Sequence, residues 1–253
     1  MRRALVTIWV LAVVMSVGGS AGAQEQRLPG QVPNPSKEPP IITPGATAGA
    51  APSDAIVLFD GRDLSAWVSQ TTPGAPAPWI VADGVVTVKP ASGSIQTKQA
   101  FGSCQLHVEF ATPVEVKGEG QERGNSGVYL MNNYELQVLD SYQNKTYFHG
   151  QAGAIYKQHA PLVNASRKPG EWQTYDVVFH RPKFDGDGKL LTRATFTVFH
   201  NGVLIQDHVE VMGVTAHDKA PYYEAHADAM PLSLQDHHNP MKFRNIWIRP
   251  IPD

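Results

Sequence analysis

Gly124-Asn125-Ser126-Gly127-Val128-Tyr129-Leu130-Met131-Asn132-Asn133-Tyr134-Glu135-Leu136-Gln137-Val138-Leu139-Asp140 reads as two short strands about a tight turn at Asn132-Asn133. In the second strand Tyr134, Leu136 and Val138 alternate with Glu135 and Gln137. One face should therefore meet a core, while the other carries two polar groups about 6.6 Å apart along the strand. The same period of two recurs on both sides. Cys104, Leu106, Val108 and Phe110 alternate with Gln105, His107 and Glu109. Trp79–Val81 and Val85–Val88 flank Asp83-Gly84, and Arg193–His200 and Val203–Gln206 flank Asn201-Gly202; both pairs are hairpin turn signals. Ile56–Phe59, Trp172–His180, Leu232–Gln235 and Phe243–Arg249 complete the set. No window of ten or more residues carries an apolar stripe of helical period with caps. Many short strands without helices predict an all-β sandwich or barrel, and at this size a jelly-roll sandwich.

Composition sets the outer limits. Residues 1–23 open with Met1-Arg2-Arg3, continue as an apolar run from Ala4 to Val17 and end in Ala21-Gly22-Ala23. That is the pattern of a cleavable signal peptide, cut near Ala23, and predicts a secreted or periplasmic protein without membrane insertion. Residues 24–53 hold Pro29, Pro33, Pro35, Pro39, Pro40, Pro44 and Pro52 among small residues, which predicts a disordered, dispensable tether. Residues 54–253 are then one domain. Without the two leader arginines the chain has 19 basic against 23 acidic residues and no basic cluster, which argues against a nucleic-acid partner. A lone cysteine, Cys104, excludes an intrachain disulfide and any multi-cysteine metal site. Nothing in the sequence sets the oligomeric state.

The candidate chemistry lies on the polar faces. Strict alternation would turn Asp140 inward, whereas a β-bulge at Val138–Leu139 would return it beside Glu135 and Gln137. That acid-x-polar-x-x-acid pattern resembles the catalytic strand of laminarinase and lichenase-type glycosidases, which need two carboxylates. Gln235-Asp236-His237-His238-Asn239 adds a histidine able to act as acid or base near neutral pH. The groove around Glu135 and Gln137 is expected to include Arg123, Gln235 and His237. Tyr129, Tyr142 and Trp172 could stack on a sugar, although aromatics in a sandwich are more often core. No cofactor is evident. A divalent cation shared by His237 and Glu135 would need tertiary convergence and stays open. Asp185-Gly186-Asp187-Gly188 lacks the glutamate a calcium loop needs at its twelfth position, where Phe196 stands, and reads as a turn.

The chain also resembles the 3-keto-disaccharide hydrolase domain family. The resemblance is carried by Leu58-Phe59-Asp60-Gly61 with Leu64 and Trp67, by Gly124–Tyr129, by Tyr134–Asp140 and by Pro169-Gly170-Glu171-Trp172-Gln173. It continues through Asn201-Gly202-Val203, Leu234–His237 and Phe243–Ile248. It implies a concanavalin-like jelly-roll β-sandwich acting on glycosides with a ketone at C3. Such a ketone acidifies the C2 proton, so a base can start elimination of the aglycone. In that chemistry Glu135 and Asp140 are candidate bases and His237 a candidate acid or second base. Arg123 and Arg244 are candidate clamps for the enolate or hydroxyls, Asn125 and Gln137 would orient the sugar, and Gln235 and Tyr142 would line the site. An ordinary retaining glycosidase using Glu135 and Asp140, or a non-catalytic carbohydrate-binding module, are the competing readings. The family pattern has Gly where this chain has His238, so His238 is expected to tolerate a positive φ.

Overall fold

The computed structural model describes residues 39–252, and the alternating segments form antiparallel sheets. In chain order the strands are β1 (Ile56–Phe59), β2 (Trp67–Ser69), β3 (Ile80–Ala82), β4 (Val85–Thr87), β5 (Ile95–Phe101), β6 (Cys104–Ala111), β7 (Asn125–Leu130) and β8 (Tyr134–Leu139). They continue as β9 (Gln173–His180), β10 (Lys183–Phe184), β11 (Leu190–Thr192), β12 (Thr195–His200), β13 (Val203–Glu210), β14 (Met230–Leu234) and β15 (Lys242–Pro250). One sheet runs β13-β12-β9-β6-β15-β4-β3, with β1 also on β15; the other runs β2-β5-β14-β7-β8, and β10 pairs with β11 apart from both. The chain has the jelly-roll sandwich expected of it. Between the sheets Phe59, Trp67, Phe110, Tyr134, Tyr175, Phe179, Phe196 and Phe243 are buried, each stabilising by about 1.5–3 kcal/mol relative to exposure.

Turn chemistry sets two hairpins as read. Asp83 and Gly84 (φ 52° and 76°) link β3 to β4, and Asn201 and Gly202 (φ 52° and 78°) link β12 to β13. Positive φ at both central residues matches the right-handed strand twist. The β7–β8 turn differs from its reading: Leu130 pairs with Tyr134, so the loop is Met131-Asn132-Asn133, with φ 54° and 56° at the first two. Strands β2 and β5 carry too few apolar residues to be legible. In β5 only Ile95, Thr97 and Phe101 are buried.

The pairing of β7 with β8 is unbroken from Asn125↔Leu139 to Leu130↔Tyr134. No bulge returns Asp140 to the face of Glu135, because every residue through Leu139 stays in the regular ladder. The free edge of β8 is covered by the 153–156 segment. Gln137 N donates to Ala154 O (2.9 Å), Gly153 N to Gln137 O (2.8 Å) and Tyr156 N to Glu135 O (3.2 Å). All six residues of β8 are consequently buried on both faces, and the edge offers no pairing site to another chain.

Residues 1–38 of the leader and tether lie outside the described residues. The remainder of the expected tether packs on the domain from residue 42 onward. Gly49 O accepts hydrogen bonds from Asn245 Nδ2 (2.9 Å) and Trp247 Nε1 (2.8 Å), and Ser53 N donates to Thr43 O (2.9 Å). This cover explains why His107, on the outward face of β6, is buried. Proline content describes a chain without a core of its own, but it does not register donors on another element that a backbone carbonyl can satisfy. A chain beginning at Asp54 should melt below one beginning at Ile42. Losing the partners of these two donors costs about 2 kcal/mol, or roughly 4–8 °C at this size. Equal melting temperatures would show that the cover contributes nothing.

Candidate active site

On the outer face of the smaller sheet, register brings Gly127 opposite Gln137 and Tyr129 opposite Glu135, while Ser233 of β14 pairs with Tyr129. Tyr129, Glu135 and Gln137 form with Asn125 and Gln235 one wall of a cavity of about 160 Å³, closed by Tyr156, Thr215, His217 and His237. The 213–217 segment is held there by Thr215, whose hydroxyl donates to Asn133 O (3.1 Å) and accepts from Glu135 N (3.0 Å).

Glu135 is 3% exposed. Burial pushes its carboxyl up to about 8, opposed by a hydrogen bond from the Tyr129 hydroxyl. Tyr129 also accepts from Gln235 Nε2 (3.1 Å), and burial together with the Glu135 charge raises its phenol pKa, so it stays a neutral donor. Burial likewise raises that of Tyr156. A Cβ on Gly127 would lie 2.5 Å from Glu135 Oε1 and 2.8 Å from the Tyr129 ring. The glycine is therefore the space into which the carboxyl folds.

The two amides beside Glu135 line the cavity, and their N–H groups are tied to Gln121. Asn125 Nδ2 donates to Gln121 O (2.7 Å), and Gln137 Nε2 donates to Gln121 Oε1 (2.9 Å). Asn125 Oδ1 and Gln137 Oε1 are buried without a hydrogen-bond partner. Leaving such an acceptor unmade costs about 1–3 kcal/mol, a cost that hydroxyl donors of a ligand would remove.

Asp140 sits elsewhere. Its Oδ2 accepts from Arg123 Nε at 2.6 Å and its Oδ1 from Tyr142 N at 3.2 Å, while Arg123 Nη2 donates to Tyr142 O at 3.0 Å. Arg123 and Asp140 line a second, larger cavity of about 710 Å³, and His237 lines both. Glu135 is the only carboxylate lining the smaller cavity among the described residues. Along the regular strand, Glu135 and Leu139 are separated by roughly 13 Å of rise, with Asp140 beyond. A retaining glycosidase holds its carboxyls only about 5–5.5 Å apart, so the arrangement does not provide that pair.

Of the residues singled out by sequence, Glu135, Gln137, Asn125, Gln235 and His237 share the smaller cavity. Arg123 and Asp140 line its neighbour, and Tyr142 lines neither. Arg244 lies on β15, paired with Glu109 (2.6 Å) and stacked on Trp172 (4.1 Å to the ring centroid), and reaches neither cavity. Its position in a family motif carried no information about which sheet it serves. Tyr129, a candidate for stacking on a sugar although core was the commoner expectation, is a wall of the smaller cavity. Tyr156, Thr215 and His217 were missed, since each comes from a loop that only tertiary contacts bring over β8. No three His, Cys, Asp or Glu side chains converge as metal ligands among the described residues.

The closing loop is fixed by Asp236, which accepts from Gly93 N (3.0 Å) and from His238 N (2.9 Å). His238 takes φ 60°, as expected where the family pattern has glycine. A β-branched residue there should be strained: His238→Val should lose about 1–2 kcal/mol, while His238→Gly should lose none. Equal denaturation midpoints for the two variants would contradict this account of the loop.

Comparisons with known proteins identify the family and the fold. The profile of the 3-keto-alpha-glucoside-1,2-lyase-like domain matches residues 54–249. A solved structure of a candidate glycosyl hydrolase from Parabacteroides distasonis is 50% identical, with a TM-score of 0.81 over 85% of this chain and 93% of that one. A second candidate glycosyl hydrolase from the same organism is 20% identical, with a TM-score of 0.54 over 79% and 94% of the two chains, a likeness of fold alone. No curated protein matches the sequence.

Proposed function

Since the chain belongs to the 3-keto-alpha-glucoside-1,2-lyase-like family, whose members act on carbohydrate, we propose that it cleaves 3-keto-glycosides by elimination across C1 and C2. The observation that carries this reading is the lone carboxyl of Glu135 in its cavity, buried and raised to about 8. Ionised, such a group is a stronger base than an ordinary carboxylate, as removal of a carbon-bound proton requires. Displacement at C1 would call for a second carboxylate beside it.

In the proposed reaction the Glu135 carboxylate takes the C2 proton, and the C2–H electron pair forms an enolate with the C3 ketone. The neutral hydroxyl of Tyr156 would hydrogen-bond the developing oxyanion, and that of Tyr129, released as Glu135 takes up the proton, would join it. The enolate then re-forms the ketone as C1=C2 closes and the C1–O bond breaks. The aglycone oxygen leaves with a proton from His237 or His217, giving an unsaturated 3-keto sugar and a free alcohol. Addition of water at C1, with a proton to C2, turns the outcome into net hydrolysis. Asn125 Oδ1 and Gln137 Oε1 would accept from ring hydroxyls. Residues 1–23 support export as the setting for this chemistry.

The test is proton exchange at C2. In deuterium oxide the substrate or product should gain deuterium at C2, and kcat/KM should rise with pH towards about 8 as Glu135 ionises. Cleavage with no C2 exchange, no unsaturated product and no isotope effect at C2 would favour displacement, and binding without cleavage would place the chain with carbohydrate-binding modules.

A further inference from the structure

Resting on that reading, we infer that the larger cavity beside His237 is the leaving-group subsite, and that it takes an apolar, ring-bearing aglycone in preference to a second sugar. Size makes the first point. The smaller cavity, about 160 Å³, falls below the roughly 300–1,000 Å³ of sites that enclose a drug-sized ligand. It has room for a single sugar ring, and the aglycone has to extend elsewhere. The larger cavity, about 710 Å³, meets it at His237, which lines both. A glycosidic bond broken at that boundary sends its alcohol into the larger space.

Chemistry makes the second point. Pro113, Val114, Val116 and Pro240 form much of the wall. Val114 and Val116 are 77% and 48% exposed, an apolar surface turned to solvent beside a catalytic cleft. The charges of the cavity are balanced: Glu115, Glu122 and Asp140 stand against Lys117, Arg123 and Lys242. Two pairs are made directly, Lys117–Glu115 at 3.1 Å and Arg123–Asp140 at 2.6 Å. The wall therefore offers an ionic aglycone no net charge, and Arg123 directs Nε to Asp140 and Nη2 to the Tyr142 carbonyl. By contrast, the unpartnered acceptors suited to sugar hydroxyls belong to the smaller cavity.

The experiment compares two 3-keto-glucosides, one carrying 2-phenylethanol and one carrying glucose as leaving group. Phenylethanol is the less acidic alcohol and so the poorer leaving group, and a preference for its glycoside reports binding rather than bond strength. Wild type should prefer the phenylethyl substrate in kcat/KM. Val116→Asn should lower that value about tenfold through KM, lower the disaccharide's value by clearly less, and be rescued by Val116→Leu. Preference of the wild type for the disaccharide, or an equal loss on both substrates, overturns the inference. Binding of free 2-phenylethanol, followed by saturation-transfer NMR, separates this from failure of the elimination reading. If no keto-glycoside is turned over yet phenylethanol binds and Val116→Asn weakens it, the apolar subsite stands. If phenylethanol does not bind, it falls.

Discussion

Replacing Glu135 with Gln should lower turnover of a 3-keto-glycoside by about 10²–10⁴-fold, the usual cost of losing a general base, and should also make the protein more stable above neutral pH. The two effects share one cause. Burial raises the folded-state pKa of Glu135 from 4.5 to about 8. A carboxyl whose pKa is raised by folding contributes stability that is fully present below about pH 4.5. That contribution is lost progressively as pH rises through about 8, because ionisation of the folded protein strands a charge away from water. The amide of Gln has no ionised form. At pH 4 the variant and wild type should therefore melt alike, whereas at pH 8.5 the variant should melt higher. Each tenfold difference in proton affinity is about 1.4 kcal/mol, and each kcal/mol moves the melting point by about 2–4 °C at this size, so the gain should exceed about 5 °C. C2 deuterium exchange should vanish with turnover while the keto sugar still binds. If activity survives, the base is another group of the smaller cavity, His237 or His217. If the melting difference does not depend on pH, Glu135 is ionised in the native state and cannot be the group described.

Gly127→Ala should inactivate without replacing any group that reacts. Its new methyl would lie 2.5 Å from Glu135 Oε1 and 2.8 Å from the Tyr129 ring, both inside contact distance. Glu135 comes from the strand paired with Gly127, and its backbone is held on both edges of β8, so the carboxyl has to swing away. A displacement of about 1 Å in a reacting group can cost on the order of 10²-fold. The loss should appear mainly in kcat, with KM moved little, because the amides of Asn125 and Gln137 keep their ties to Gln121. Far-ultraviolet circular dichroism should stay that of wild type. Wild-type kcat in this variant would mean that the carboxyl does not need the space above Gly127.

The sandwich was legible because β-strands advertise burial locally. Tyr134, Leu136 and Val138, or Cys104, Leu106, Val108 and Phe110, show their period of two without reference to any other segment, and Asp83-Gly84 and Asn201-Gly202 name their turns through residues that tolerate positive φ. The same alternation placed Glu135 and Gln137 together on one face, and the family motifs pointed to Asn125, Gln235 and His237. The sequence by itself thus determined the fold class, the polar strand face and the acid on it. Tertiary structure decided the rest. Regular pairing through Leu139 separated Asp140 from Glu135, and the salt bridge with Arg123 placed that acid in a different cavity. Loops carrying Tyr156, Thr215 and His217 closed over β8 through backbone hydrogen bonds that leave no periodic trace, and Gly49 satisfied donors on β15 from a segment that composition marked as a tether. The physical reason is the range of the forces involved. Backbone sterics and one-sided burial act over a few neighbouring residues and are written along the chain, whereas desolvation of Glu135 and the partnering of its acid neighbour depend on atoms distant in sequence.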